Sequence, residues 1–222
     1  MKTALITGTS RGIGKALAEK FMAEGWFVVG TAVSGLNLPN TDKFAGYDLD
    51  LSSHESISAF AEKIISEKIK IDLLINNAGV VEDEFDEAVI VSKLRKTFEV
   101  NLFGLIDLTE QLLPSVVSGG QVFNISSTAG MLSKELRKFN YPCYKISKTA
   151  LNMYTRVLAG NLAEKDIFVA SVHPGWVKTD MGGAEADLVP EDAAIYIYDF
   201  AKKKKSISDS GLFWFKSEKL PW

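Results

Sequence analysis

Two hydrophobic patterns alternate along the chain: short uninterrupted apolar runs, and longer stretches with apolar residues every three or four positions. The short runs are Lys2 to Thr7, Phe27 to Thr31, Ile71 to Ile75, Gln121 to Ile125, Phe168 to Val172 and Leu212 to Phe215, and they predict strands; Lys43 to Asp48 predicts a further short one. Continuous runs of this kind belong to strands covered on both faces. The periodic stretches predict helices. Lys15 to Glu24 carries Ala16, Leu17, Phe21 and Met22 on one stripe and stops at Gly25. Ser53 and Ser56 open a helix to about Lys68, with Ile57, Phe60, Ala61, Ile64 and Ile65 inward. Ser92 to Leu113 ends at Pro114, Tyr144 to Glu164 follows, and Pro190-Glu191-Asp192 opens the last. Residues 32–42 read as a loop, and the acidic stretch 80–90 fits neither period. The alternation predicts a doubly wound parallel α/β sheet, a single domain over residues 1–222, with ligands at the carboxyl ends of the strands.

Composition narrows the function. A net charge of −3 argues against nucleic-acid binding by bulk charge. No apolar run reaches the roughly 20 residues that span a bilayer, and no secretory leader pattern opens the chain, so a cytoplasmic protein away from the membrane is expected. One cysteine and two distant histidines leave no ligand set for a structural metal, so no metal site is expected. Lys202 to Lys205 reads as a solvated helix end, and Cys143 as a small, partly buried thiol.

The chemistry starts where the first strand runs into the first helix. Gly8, Gly12 and Gly14 permit a tight turn and close backbone approach, and the helix start favours negative charge, which makes a phosphate cradle and a Rossmann-type reading. A second stretch places Tyr144 and Lys148 four apart on one helix face. A tyrosine is a poor acid at neutral pH, and a nearby ammonium pulls its pKa down into a useful range. Asn124-Ile125-Ser126-Ser127 ends a strand, and Asn101 sits in the helix before it.

These pieces occur in one order: Thr7-Gly8-x-x-x-Gly12-x-Gly14, Asn76-Asn77-Ala78-Gly79, Asn101, Ser126-Ser127, Tyr144-x-x-x-Lys148 and Pro174-Gly175-x-Val177-x-Thr179. In that order they resemble the short-chain dehydrogenase/reductase family over essentially the whole chain. The run His173 to Gly183 and the ending Ser210-Gly211-x-Phe213…Pro221-Trp222 are similar to the C-factor and sniffer-type carbonyl reductases. The resemblance implies a catalytic tetrad. Tyr144 donates a proton to the substrate carbonyl; Lys148 lowers its pKa and bonds the nicotinamide ribose; Ser127 polarises the carbonyl; Asn101 holds a water that relays protons to Lys148. It also implies that Gly8, Ser10, Arg11, Ile13 and Gly14 line the pyrophosphate and ribose, with Asp50 and Leu51 at the adenine. Asn77, Ala78 and Gly79 then lie under the ribose, and Pro174, Gly175, Val177 and Thr179 hold the nicotinamide end. Sixteen residues separate Ser127 from Tyr144, more than the family's usual spacing, and leave Ser126 as the other serine for that role. The added piece includes Lys134 to Lys138.

An NAD site usually has an acid at the end of the second strand, on the ribose 2′-hydroxyl. Here Gly30-Thr31-Ala32-Val33-Ser34 has none, and Arg11 in the glycine turn suits a 2′-phosphate, so NADP(H) is predicted over NAD(H). The implied function is a carbonyl reductase acting on a small aldehyde, ketone or alcohol; the alternative is a C-factor-type signalling protein that binds the cofactor with little turnover. The resemblance also implies a homodimer or homotetramer paired through helices 92–113 and 144–164. Trp176 serves equally as substrate wall or as packing, and the short stretch Gly182 to Val189 implies an open pocket.

Overall fold

The computed structural model describes residues 1–35, 38–133, 135 and 140–222. Its strands are β1 (Thr3–Thr7), β2 (Phe27–Ala32), β3 (Phe44–Asp48), β4 (Ile71–Asn76), β5 (Val116–Ile125), β6 (Phe168–Val172), β7 (Leu212–Phe215) and β8 (Glu218–Leu220). They form one sheet in the order β3-β2-β1-β4-β5-β6-β7-β8. All neighbours are parallel except β8, which runs antiparallel to β7. The pattern had missed β8: a three-residue strand with exposed Glu218 and Lys219 has too little apolar surface to register.

The helices are α1 (Gly12–Ala23), α2 (His54–Ser66), α3 (Val91–Phe98), α4 (Leu105–Leu112), α5 (Pro142–Leu162) and α6 (Pro190–Lys202). Successive strand residues point to opposite faces, and both sets are apolar because both faces are covered. Ala4, Ile6, Val28, Phe123 and Val172 pack against Leu17 and Phe21 of α1 and Ile197 and Phe200 of α6. Leu5, Val29, Leu74, Val122 and Val169 pack against Ile57 and Ile64 of α2, Leu108 and Leu112 of α4, and Leu158 and Leu162 of α5. This is the doubly wound α/β architecture of the Rossmann type. The strand order reverses at β1 and β4, which opens a crevice at their carboxyl ends.

Two sequence readings change. The expected helix 92–113 is a rod of three pieces, α3 and α4 joined by a π-helical turn over Glu99–Gly104. Lys205 is not solvated like Lys202 to Lys204. Its Nζ lies 4.4 Å from the centre of the Phe200 ring and takes carbonyls at the end of α6, and burial pushes its pKa down to about 8. No helix among the described residues is long and apolar enough to cross a membrane.

Candidate active site

The glycine turn meets β4 directly. Thr7 Oγ1 accepts from the Asn77 and Ala78 N–H groups, both at 3.0 Å, and Asn77 Nδ2 donates to the Thr7 carbonyl at 2.9 Å. Gly8 sits at φ +75°. A Cβ on Gly14 would overlap the Gly8 carbonyl and come within 2.6 Å of Asn77 Nδ2, so only glycine closes this turn. The start of α1 has no side-chain cap and no acid in its first turn. Its amide donors and dipole are therefore left for an external anion, and the turn fits a pyrophosphate.

A cavity of about 850 Å³ runs over this turn. Gly8, Ser10, Arg11, Ile13, Gly14, Asp50, Leu51, Asn77, Ala78, Gly79, Tyr144, Lys148, Pro174, Gly175, Val177 and Thr179 all line it. Every residue expected at the cofactor is thus in one place. At the β2 end the lining is Thr31, Ala32, Val33 and Ser34, with no acid among them. Arg11 does not reach toward that end. Its guanidinium pairs with Asp180 at 3.3 Å, across the cleft, with both side chains about four-fifths exposed (80% and 77%).

At the other end Tyr144 and Lys148 line the cavity from α5; Ser127 and Asn101 stand against α5 but are not part of the lining. Ser127 stands beside the Tyr144 hydroxyl and accepts from the Ala129 N–H at 3.1 Å, whereas Ser126, which lines the cavity, donates to Asn152 at 2.6 Å. The short helical turn Thr128–Gly130 docks on α5; a Cβ on Gly130 would lie 2.6 Å from the Lys148 backbone, so glycine sets the approach that brings Ser127 to Tyr144. Lys148 is buried, and its Nζ donates to the Ile125 carbonyl at 2.8 Å. Asn101 lies in the π-helical turn, and its carboxamide spans both backbone groups of Val80, accepting from N–H at 2.8 Å and donating to C=O at 2.9 Å. That side chain is used up as a clamp, with a further bond to Ser147 at 3.2 Å.

The electrostatics differ from expectation. Burial pushes Tyr144 up to about 12, with the Ser127 bond pulling the other way, and burial pushes Lys148 down to about 8. The expected depression of the tyrosine by the lysine is outweighed by burial, and Lys148 directs its ammonium to the Ile125 carbonyl, 5.5 Å from the centre of the Tyr144 ring. At neutral pH the site holds a protonated phenol, an acid. Cys143 is fully buried, not partly, and burial and the Asp83 carboxylate push its thiol up to about 11, which makes it inert.

The family model described as short chain dehydrogenase matches residues 2–188. The chain belongs to the short-chain dehydrogenase/reductase family. As a member it is an NAD(P)-dependent oxidoreductase. It is 32% identical over 191 residues to the 3-oxoacyl acyl-carrier-protein reductase FabG of Aquifex aeolicus (strain VF5), covering 81% of this chain and 75% of that one. The NADPH-bound carbonyl reductase from chicken fatty liver superposes with a TM-score of 0.89 at 26% identity, over 100% of this chain and 99% of that one. The carbonyl reductase Sniffer of D. melanogaster gives 0.90 at 25% identity over the whole of both chains.

Several residues around this short-chain dehydrogenase/reductase site, some named only as part of a motif in the sequence, take their roles from the fold. Asn76 of β4, Asn124 of β5 and Ser171 of β6 form a buried hydrogen-bonded row with Thr155 of α5, each link 2.9 Å. Asp83 ties the wall of the cavity to Cys143 of α5, and Ser147 of α5 receives the Asn101 amide. A polar residue inside an apolar strand is a signal that could have exposed the row. Of the added piece, Lys134, Leu136, Arg137 and Lys138 lie outside the described residues. Trp176 lines the cavity and is half exposed, its Nε1 donating to the Gly182 carbonyl at 2.8 Å, so it both walls and packs.

Proposed function

We propose that this chain is an NADPH-dependent carbonyl reductase, moving hydride between the nicotinamide and an aldehyde, ketone or the corresponding alcohol. The observation that carries the reading is that Tyr144 and buried Lys148 line the same cavity as the glycine turn, with Ser127 beside the Tyr144 hydroxyl. When bound, the nicotinamide supplies the hydride. Ser127 and Tyr144 orient the carbonyl oxygen between two hydroxyls, and Tyr144 then gives its proton to that oxygen. Lys148, its Nζ 5.5 Å from the centre of the Tyr144 ring, steadies the phenolate left behind. Asn101 fixes Val80, and so one wall of the cavity. The absence of an acid at the end of β2, together with Arg11, supports NADPH over NADH.

The likeness to the FabG proteins favours one second reading, reduction of a 3-oxoacyl thioester. Oxidation of NADPH and NADH with a panel of aldehydes, ketones and acetoacetyl thioesters tests both. Turnover of simple carbonyls with a lower KM for NADPH supports the first reading. Turnover confined to thioesters supports the second. Tight NADPH binding with no turnover in any arm overturns both and leaves a binding protein.

The reading extends to a cytoplasmic homodimer or homotetramer. On α5, Ile146, Met153 and Val157 share one face and stand exposed, Val157 at 63%, with Phe103 exposed on the adjoining π-helical turn. Light scattering tests it: a single protein of 24.3 kDa would overturn it.

A further inference from the structure

The acidic stretch 80–90, which no period explained, contributes a completely buried carboxylate beside the proposed proton donor. Asp83 is 0% exposed, and its Oδ2 accepts from the Cys143 backbone N–H. Its Oδ1 has no hydrogen-bond partner among the described residues. Burying a carboxylate is costly unless its charge is answered; here the start of α5 answers it by direct contact and the Lys93 ammonium at longer range. That helix starts awkwardly. Tyr141 at its cap is left-handed (φ 51°), its hydroxyl goes to Glu84 and not to the helix, and Pro142 has no N–H. Cys143 therefore offers the first amide of the helix, and an acid 60 residues earlier in the chain takes it.

The other end of the same segment is also tied. Val80 is clamped through both backbone groups by Asn101, which bonds Ser147 of α5 as well. Residues 80–83 thus form a strap, with Val80 and Val81 lining the cavity and both ends fixed to the elements that carry the tetrad. A serine or aspartate at position 141 would cap α5 from within. A cap from the cavity wall does more, because it fixes the distance between that wall and the residue following Cys143, which is Tyr144.

We propose that Asp83 is a positioning residue for the reaction, its carboxylate holding the first turn of α5 so that Tyr144 meets the substrate carbonyl. The proposal rests on the role of Tyr144 given above. A misplacement near 1 Å at a proton-transfer site costs on the order of a hundredfold, so loss of the tether should be visible in turnover.

The test compares Asp83→Ala with Asp83→Asn, which keeps an acceptor oxygen. It reads kcat, both KM values, and amide hydrogen exchange in residues 142–148. The expected result for Asp83→Ala is a kcat at least about tenfold lower, with the NADPH KM held within about twofold and faster exchange confined to 142–148. Asp83→Asn is expected to recover kcat to within about threefold of the parent. A folded Asp83→Ala with parental kcat overturns the proposal. So does a loss shared by kcat, NADPH KM and exchange throughout the fold, or an Asn variant as poor as Ala. Should Asp83→Ala not fold, Asp83→Ser, too short to reach Cys143, is read by the same criteria. If the parent reduces no carbonyl, the functional reading falls and exchange alone decides the tether: faster exchange at 142–148 in Ala but not Asn supports it, and unchanged exchange in Ala overturns it.

Discussion

Lys148 holds its Nζ 5.5 Å from the centre of the Tyr144 ring while donating to the Ile125 carbonyl. The helix spacing of four brings the two side chains to one face, but the ammonium is directed to the Ile125 carbonyl of β5. Two consequences follow from burial. The phenol keeps its proton to about pH 12, and the lysine loses its own near pH 8.

The first prediction concerns the pH dependence of carbonyl reduction. The proton donor stays a neutral, protonated phenol across the working range, so Tyr144 produces no inflection there. Lys148 does: kcat/KM should be flat below about 8 and fall above it, as the ammonium that steadies the phenolate disappears. The profile is measured at saturating NADPH. A fall centred near pH 10 or above would mean that Lys148 keeps its proton and the assignment of the limb is wrong.

The same lysine should leave a mark on stability. Its pKa is about 10.5 unfolded and about 8 folded, so between these values the unfolded chain binds the extra proton. Stability then rises with pH across that window, and the cost of burying the charge is present in full only below pH 8. A shift of this size corresponds to about 3 kcal/mol. Lys148→Met has no such cost. Its stability advantage over the parent, measured by urea unfolding without nicotinamide, should therefore be largest at pH 7 and vanish by about pH 10.5. An advantage independent of pH would show that the folded lysine is not desolvated.

Removing the phenol oxygen should separate chemistry from binding. Tyr144→Phe keeps the ring over Lys148 but loses the proton and the bond to Ser127. The expected loss in kcat is about 10²- to 10⁴-fold, the usual contribution of a general acid, with NADPH affinity by fluorescence quenching nearly unchanged. Parental kcat in this variant would remove Tyr144 from the mechanism.

Much of this architecture is written locally. Continuous apolar runs marked β1, β2 and β4 to β7 because a strand covered on both faces has no polar side to alternate with, whereas the edge strand β3 is half exposed. The glycine turn was legible because its three glycines stand where the backbone has no room for a Cβ. What stayed hidden depends on partners far apart in sequence. Asp83 looks like one more acid in an acidic stretch until Cys143 is folded against it. Lys205 looks like the end of a charge run until three aromatic rings from β5, β6 and α6 surround its Nζ. The π-helical turn leaves no trace in the 3.6-residue period because it adds one residue to a rod that stays helical. The direction of the Tyr144 pKa was misjudged for the same reason: spacing shows that Lys148 is near, but not that burial outweighs it.

Arg11 provides the last prediction. It was expected to meet a 2′-phosphate, and it pairs instead with Asp180, on the segment after β6 that packs over the glycine turn. Both partners are so exposed that the pair contributes little to stability, and a dianionic phosphate in reach of the guanidinium would compete well for it. Asp180→Asn should therefore leave the melting temperature unchanged while lowering the KM for NADPH, because it frees Arg11 from its rival. Arg11→Ser should raise the NADPH KM by about tenfold, the value of one charge-assisted hydrogen bond, and leave the NADH KM where it was. The two variants together are diagnostic. Equal changes toward NADPH and NADH in Arg11→Ser would place the guanidinium on the pyrophosphate that both cofactors share, and the preference for NADPH would then have to come from the β2 end of the cavity.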